Sequence, residues 1–136
     1  MNREFSWIVA FSLLITPGCL SGEEVDEFYG EDINPPIAVD EFVLIDEKGE
    51  YVAMSQFEGQ VVVVAFLFTR CPDICPVVSA NLAFIAQELG ELHGTSVQIL
   101  TVTVDPWTDN SSVLGNYADV RGLSWPHLTG SVEDLE

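Results

Sequence analysis

Residues 61–76, VVVVAFLFTRCPDICP, carry the clearest structural signals in the sequence. The first half of this stretch, Val61–Phe68, is a continuous apolar run of strand-forming residues, which is typical of a β-strand covered on both faces. We therefore expect this strand to lie at the centre of a sheet. Its second half places Cys71 and Cys75 four residues apart, directly after the strand.

An amphipathic helix and a second strand are predicted after the cysteines. Apolar residues recur at spacings of four and three between Pro76 and Leu92, which indicates one helical face; they are Val78, Leu82, Ile85, Leu89 and Leu92. Pro76 suits the first helical position and Gly94 suits the stop. Val97–Val104 reads as the next strand. A strand, a helix and a strand in one sheet form a right-handed parallel crossover, so both strands end at the same edge.

A hairpin is predicted ahead of the crossover. Phe42–Ile45 and Tyr51–Met54 flank a polar segment that carries Gly49 at the expected turn. The order of these elements assigns the chain to the α/β class.

Thiol and carboxylate side chains follow the two parallel strands at the edge where both strands end. Cys71 and Cys75 follow the first strand, and Asp105 follows the second. Open α/β sheets bind ligands at such an edge. Amides at a helix amino end lower the pKa of a thiol, and two thiolates suit a soft ion such as Cu(I). In an oxidising compartment, the same pair can close to a disulfide.

Plainer interpretations exist for each of these residues. The cysteines can form a purely structural disulfide, and Asp105 can simply cap a turn before Pro106. Structural zinc is disfavoured, because the remaining candidate ligands do not lie at a second short spacing; they are Cys19, His93 and His127. We predict His93, at a helix end, to be a surface residue, and we leave His127 unassigned.

The N-terminal part indicates export. Residues 1–18 contain an apolar run of signal-peptide length, and Thr16-Pro17-Gly18-Cys19 resembles the lipobox of exported lipoproteins. We therefore expect a signal peptide with Cys19 lipidated, or alternatively an uncleaved signal anchor. Residues 19–41 form an acidic linker. Either arrangement tethers residues 42–136 to a membrane on its extracytoplasmic face.

The charge balance restricts the partners. The chain has 136 residues, of which 22 are acidic and 4 are Lys or Arg, for a net charge of −18. Nucleic-acid binding requires clustered Lys and Arg to contact phosphates. The sequence therefore predicts no nucleic-acid partner.

The motif around the cysteines resembles the signature of the SCO/SenC family. Phe68–Pro76 carries the likeness, and two further matches follow in the same order: Thr103-Val104-Asp105-Pro106 and Trp125-Pro126-His127-Leu128-Thr129-Gly130. This resemblance implies a thioredoxin-like fold, with a central mixed sheet, flanking helices and an N-terminal β-hairpin. It also implies copper binding and help in assembling the binuclear copper centre of cytochrome c oxidase subunit II.

The same resemblance implies roles for individual residues. Cys71 and Cys75 correspond to the two copper thiolates, and Asp105 to an acidic residue beside the site. The family's histidine ligand lies in a later loop, and the sequence stops before reaching it. We therefore expect a C-terminally truncated domain that lacks the last strands, with Val61–Phe68 left as an exposed, aggregation-prone edge.

Three functions are consistent with these features. The first is a metallochaperone that receives copper, as Cu(I) or also Cu(II), from donor proteins and delivers it to oxidase subunit II. The second is a thiol-disulfide oxidoreductase that acts on cysteines of the oxidase or of other exported proteins. The third is a tethered redox or copper sensor. The three residues between Cys71 and Cys75, instead of the two usual in thioredoxin-type enzymes, favour the metallochaperone, which is not an enzyme.

Overall fold

The computed structural model describes residues 30–135 of the chain. The predicted signal peptide, Cys19 and the first part of the predicted acidic linker lie outside these residues. Contacts divide the chain after Ala38. Residues 30–38 are exposed and contain no helix or strand.

Residues 39–135 contain five strands and two helices. They are β1 (Val43–Ile45), β2 (Tyr51–Ala53), β3 (Val61–Leu67), α1 (Ile74–Leu89), β4 (Val97–Thr103), α2 (Ser111–Arg121) and β5 (His127–Leu128). Short 3-10 turns follow β2 and α1, at Met54–Phe57 and Gly90–Leu92. No helix in the described part of the chain is long and apolar enough to cross a membrane.

The predicted hairpin is confirmed. β1 pairs antiparallel with β2, with Leu44 opposite Val52. Gly49 has a φ of 86°, a left-handed conformation that favours glycine. The carboxylate of the preceding Asp46 accepts hydrogen bonds from the backbone N–H of Lys48 and of Glu50, at 2.9 and 2.8 Å, and so closes the turn.

The predicted crossover is also confirmed. β3 and β4 run parallel over seven residues, from Val61 opposite Val97 to Leu67 opposite Thr103. β5 pairs parallel with β4 on its other side. An antiparallel bridge between Ile45 and Thr129 joins the hairpin to this sheet and makes the arrangement mixed.

The prediction that β3 is central is wrong for the described residues. The strand order is β3-β4-β5, so β3 lies at the edge and the fully buried strand is β4. Val64 is 40% exposed and Phe66 is 68% exposed. The expectation of an exposed apolar edge is thereby confirmed, whereas its tendency to aggregate stays a prediction.

Two apolar clusters pack on opposite faces of β4. Leu100 and Val102 contact the hairpin and β5, in a cluster completed by Leu44, Val52 and Leu128. Ile99 packs on the other face against Leu82 of α1 and Trp125. This alternation follows from the strand period of two, which sends successive side chains to opposite faces.

Helix α1 begins earlier than predicted, and its predicted apolar face is confirmed only in part: Leu82 is buried and Val78 packs against the same cluster. The helix begins at Ile74, two residues before Pro76. Pro76 is compatible with this start, because a proline in the first turn lacks only an N–H that would have no intrahelical acceptor. The fully buried residues of α1 are Cys75, Ser79 and Leu82. Ile85 and Leu92, which belong to the predicted apolar face, are 41% and 53% exposed.

Two elements were not predicted. Helix α2 begins after Asn110, whose side chain accepts a hydrogen bond from the N–H of Val113. The two-residue β5 follows it and contacts both α2 and β4. β5 therefore lies along the edge of β4 opposite β3, and α2 packs against β5.

Candidate functional site

The loop between β3 and α1 presents the two cysteines. Cys71 is half-buried in this loop, and Cys75, the second residue of α1, is buried. Both are free thiols. The backbone N–H of Cys75 donates a hydrogen bond to Sγ of Cys71 at 3.4 Å. The Cys71 sulfur therefore faces the amino end of the helix, as the four-residue spacing predicts.

The two thiols have different acidities. Hydrogen bonds from backbone N–H groups, first that of Asp73 and then that of Cys75, lower the pKa of Cys71 below its usual value. Burial is the main cause that raises the pKa of Cys75. Because the thiolate is the nucleophile and the metal ligand, Cys71 is the more reactive sulfur of the pair.

Asp105 lies at the same edge and pairs with the residue before Cys71. Its Oδ2 accepts a hydrogen bond from the guanidinium of Arg70 at 2.8 Å. This bond holds the pKa of Asp105 below its ordinary value. Asp105 also shapes its own turn, since its carbonyl oxygen accepts from the backbone N–H of Thr108 and of Asp109. Asp105 thus forms the turn that the plainer interpretation predicts, and it also lies next to the cysteine loop.

Sequence reasoning missed Asp109. This carboxylate is fully buried and accepts hydrogen bonds from Thr69 and Thr103. Thr69 follows the predicted strand that ends at Phe68, and Thr103 is the last residue of β4. The signal in the sequence was an acid four residues after Asp105. Nothing in the sequence separates such an acid from the many solvated ones.

The two histidines occupy different environments. His93 lies four residues before β4 and forms a bridge to the first residue of that strand, Val97, at the end of the strand opposite Asp105. The prediction that it is a surface residue is wrong: it is half-buried, its Nε2 is shielded from solvent, and its ring meets Trp125 edge-on at 6.4 Å. The cause is the packing of the Trp125 segment, distant in sequence, against the end of α1.

His127 is fully buried in β5. Its ring stacks on Trp125 at a centroid distance of 5.7 Å, and its Nδ1 lies 2.8 Å from the carbonyl oxygen of Trp125. Its backbone N–H donates to the carboxylate of Glu47 at 2.9 Å. Burial lowers the pKa of His127, so its ring is held neutral.

This burial predicts a pH dependence of stability. The unfolded chain binds a proton on His127 below its ordinary pKa of 6.5, whereas the folded chain does so only at lower pH. The free energy of unfolding should therefore fall as the pH drops below 6.5, with a His127 contribution of at most about 1.4 kcal/mol per pH unit. Urea unfolding at pH 7 and pH 5.5 should show a smaller fall in His127→Gln than in the parent chain. Equal falls in the two proteins would contradict this account.

Two sulfur donors are the metal-binding groups that the site offers. Within residues 30–135, no three side chains of the His, Cys, Asp and Glu types come together in a way that could hold a metal ion. Thiolate ligands suit Cu(I) and disfavour hard ions such as Mg²⁺ and Ca²⁺. The chemistry of the donor set therefore fits a soft monovalent ion.

Comparisons with known proteins place the chain among similar sequences and folds. A family model described as SCO1/SenC matches residues 31–136. The chain is 35% identical over 96 residues to the mitochondrial protein SCO2 homolog of Bos taurus, a match that covers 70% of this chain and 36% of that protein.

Two solved structures share the fold. Yeast Sco1 with copper bound has a TM-score of 0.65 and 30% identity, covering 74% of this chain and 55% of that one. The second is BsSco, described as a member of the Sco family of cytochrome c oxidase assembly proteins in which a disulfide switch was identified. It has a TM-score of 0.62 and 30% identity, covering 70% of this chain and 57% of that one. The chain spans less than two thirds of the length of each of these relatives.

Proposed function

The chain belongs to the SCO1/SenC family, and from this premise we propose that it binds copper through Cys71 and Cys75 and acts as a metallochaperone in the assembly of cytochrome c oxidase. The observation that carries the proposal is the hydrogen bond from the Cys75 N–H to Sγ of Cys71. It brings one sulfur to the amino end of the helix on which the other resides.

The acidities of the two thiols support stepwise uptake of copper. Cys71, half-buried and with a lowered pKa, is the first sulfur to offer a thiolate to an arriving ion. The buried Cys75 then loses its proton as it binds, because a metal ligand must be deprotonated. Soft sulfur donors favour Cu(I) over the hard ions that are more abundant in most compartments.

Delivery is proposed to proceed by exchange of ligands. Donors of the recipient, the binuclear copper site of oxidase subunit II, replace the two thiolates one at a time, so that the ion is never released to solvent. A copper donor protein loads the chain in the same way. Asp105, held by Arg70 next to the cysteine loop, is proposed to assist, whereas neither His93 nor His127 is assigned as a ligand.

An anaerobic titration tests this proposal. The chain, with both thiols reduced, is titrated with Cu(I) against a chromophoric chelator, and we expect one ion bound per chain. Mixing the loaded chain with the metal-free soluble domain of oxidase subunit II should then move copper to that domain. Retention of all copper by the chelator would contradict copper binding, and retention by the chain would contradict delivery.

The unequal acidities of Cys71 and Cys75 also favour a second candidate, a thiol-disulfide oxidoreductase. A half-buried low-pKa thiol that attacks, next to a buried thiol that resolves, is the arrangement that disulfide exchange requires. The disulfide switch identified in BsSco supports the idea that such a pair can cycle. Rapid turnover of a disulfide substrate by the metal-free chain would favour this enzyme, whereas absence of turnover would leave the metallochaperone.

We further propose that the domain works at the extracytoplasmic face of a membrane. The support lies in the sequence: a signal-like apolar run within residues 1–18, the lipobox-like Cys19 and the acidic linker over residues 19–41. Two or more acyl chains at Cys19 would be needed for stable anchoring, since a single chain binds membranes only marginally.

A further inference from the structure

Asp109 forms a buried contact between two loops that the copper chemistry above does not use. It lies six residues beyond the end of β4, and its side chain is fully buried. Its Oδ2 accepts from the backbone N–H of Thr69 at 2.9 Å and from Oγ1 of Thr103 at 2.7 Å, and its Oδ1 accepts from Oγ1 of Thr69. A buried carboxylate is unfavourable unless its oxygens are hydrogen-bonded, and here both are.

Two consecutive residues of the cysteine loop are thus held by one neighbouring loop. Thr69 is bound by Asp109, and Arg70 is bound by Asp105, four residues earlier. The two contacts differ in burial. The Arg70 side chain is 67% exposed, and pairs of this kind contribute little because water competes for them. The contact between Thr69 and Asp109 is shielded, so it is the stronger restraint on the loop.

We propose that Asp109 is a positioning residue for the cysteine pair: by fixing Thr69, it sets Cys71 where its sulfur meets the amino end of α1. Thr69 lies two residues before Cys71, and a bond from the Cys71 N–H to the Phe68 carbonyl oxygen at 3.3 Å closes the intervening turn. Thr69 and Cys71 are therefore joined within one hydrogen-bonded turn. Through this turn, Asp109 and the Cys71 sulfur are mechanically linked.

Charge alone would act in the opposite direction. Among the causes that raise the pKa of Cys75, the negative charge of Asp109 comes after burial and the contacts with Cys71. Removing only the charge, as Asp109→Asn does, should therefore not weaken metal binding. Removing the hydrogen bonds should loosen the loop and weaken metal binding, so the sign of the effect separates the two roles.

The inference rests on the proposed copper binding and is tested in the full chain with two variants. Asp109→Ala removes all acceptors and should weaken Cu(I) binding by about 10- to 100-fold, the usual range when a group that orients a ligand is lost. Asp109→Asn keeps an acceptor for the Thr69 N–H and should bind within about threefold of the parent chain, since the hydroxyls of Thr69 and Thr103 can reverse their donor roles. Equal weakening in both variants, or no weakening in Asp109→Ala, would overturn the proposal.

A metal-free readout and a matched control complete the test. Amide hydrogen exchange at Thr69 and Cys75 should accelerate in Asp109→Ala and stay near the parent rate in Asp109→Asn. Thr101→Val removes a different buried hydrogen bond, from Nε1 of Trp125 at 2.8 Å, and should lower stability without changing either readout. If it weakens copper binding as much as Asp109→Ala does, Asp109 has only a structural role and the proposal fails.

The test still gives an answer if Asp109→Ala does not fold or if the parent chain binds no Cu(I). If Asp109→Ala does not fold, Thr69→Val decides: it removes the hydroxyl bond, keeps the N–H bond, and should weaken Cu(I) binding several-fold, whereas unchanged affinity overturns the proposal. If the parent chain binds no Cu(I), the proposed function fails. The exchange rates at Thr69 and Cys75 still decide whether Asp109 positions the loop.

Discussion

Cys71→Ser is expected to weaken Cu(I) binding by more than about 100-fold, which exceeds the loss for residues that only support a ligand. Serine keeps the size and the backbone but replaces a soft sulfur by a hard oxygen that stays protonated at neutral pH. The single remaining sulfur, at Cys75, is buried and less acidic. Competition with a Cu(I) chelator under anaerobic conditions measures the change.

The chain offers a matched control for this substitution. Cys19→Ser makes the same chemical change at the third cysteine, which the sequence assigns to the N-terminal anchor. It should leave Cu(I) affinity in detergent unchanged. Unaltered affinity in Cys71→Ser, or an equal loss in both variants, would show that the sulfur of Cys71 is not a specific ligand.

Leu100→Ala is expected to cost about 2 to 5 kcal/mol of unfolding free energy. Leu100 has no exposed surface and belongs to the cluster that joins β4 to the hairpin and to β5. Truncation removes its apolar contacts and leaves a cavity that the paired strands on both sides cannot fill. Since small domains have only about 5 to 15 kcal/mol of stability, the variant should unfold at much lower urea concentration.

Leu92→Ala is the control for this second prediction. It deletes the same atoms from a side chain that is 53% exposed on a 3-10 turn. Its effect should stay within about 0.5 kcal/mol, as is usual for surface substitutions. Comparable losses in both variants would mean that β4 is not the centre of the core.

The hairpin and the crossover could be predicted because their signals are local. Gly49 and its polar neighbours indicate a turn, and the apolar run at Val61–Phe68 followed by a helical period indicates a strand and a helix. The position of β3 at the sheet edge could not be predicted from this run. Which strands flank another is decided by contacts between segments distant in sequence, and an apolar run of eight residues does not encode its neighbours.

The apolar face of α1 was predicted only in part, for a related reason. Leu82 is buried as the pattern predicts, but the helix also turns Cys75 and Ser79 inward and leaves Ile85 partly exposed. Small side chains allow α1 to approach the sheet closely, and hydropathy patterns give them little weight. Helix α2 was missed because its three buried residues, Leu114, Tyr117 and Ala118, form too short an apolar pattern.

Some residues of the candidate site could be predicted from the sequence and others could not, for the same reason. Cys71, Cys75 and Asp105 follow the ends of parallel strands, so topology alone predicts their shared edge. Asp109 could not be distinguished in the sequence, because its burial depends on Thr69, 40 residues earlier in the chain. Residues that hold a site in place are defined by partners from other segments, and these partners become visible only in the folded chain.

X-ray absorption at the copper edge of the loaded chain identifies the atoms bound to the ion. We expect a first coordination shell with two sulfur atoms, which falls to one in Cys71→Ser. A shell of nitrogen and oxygen atoms alone would contradict joint binding of copper by Cys71 and Cys75.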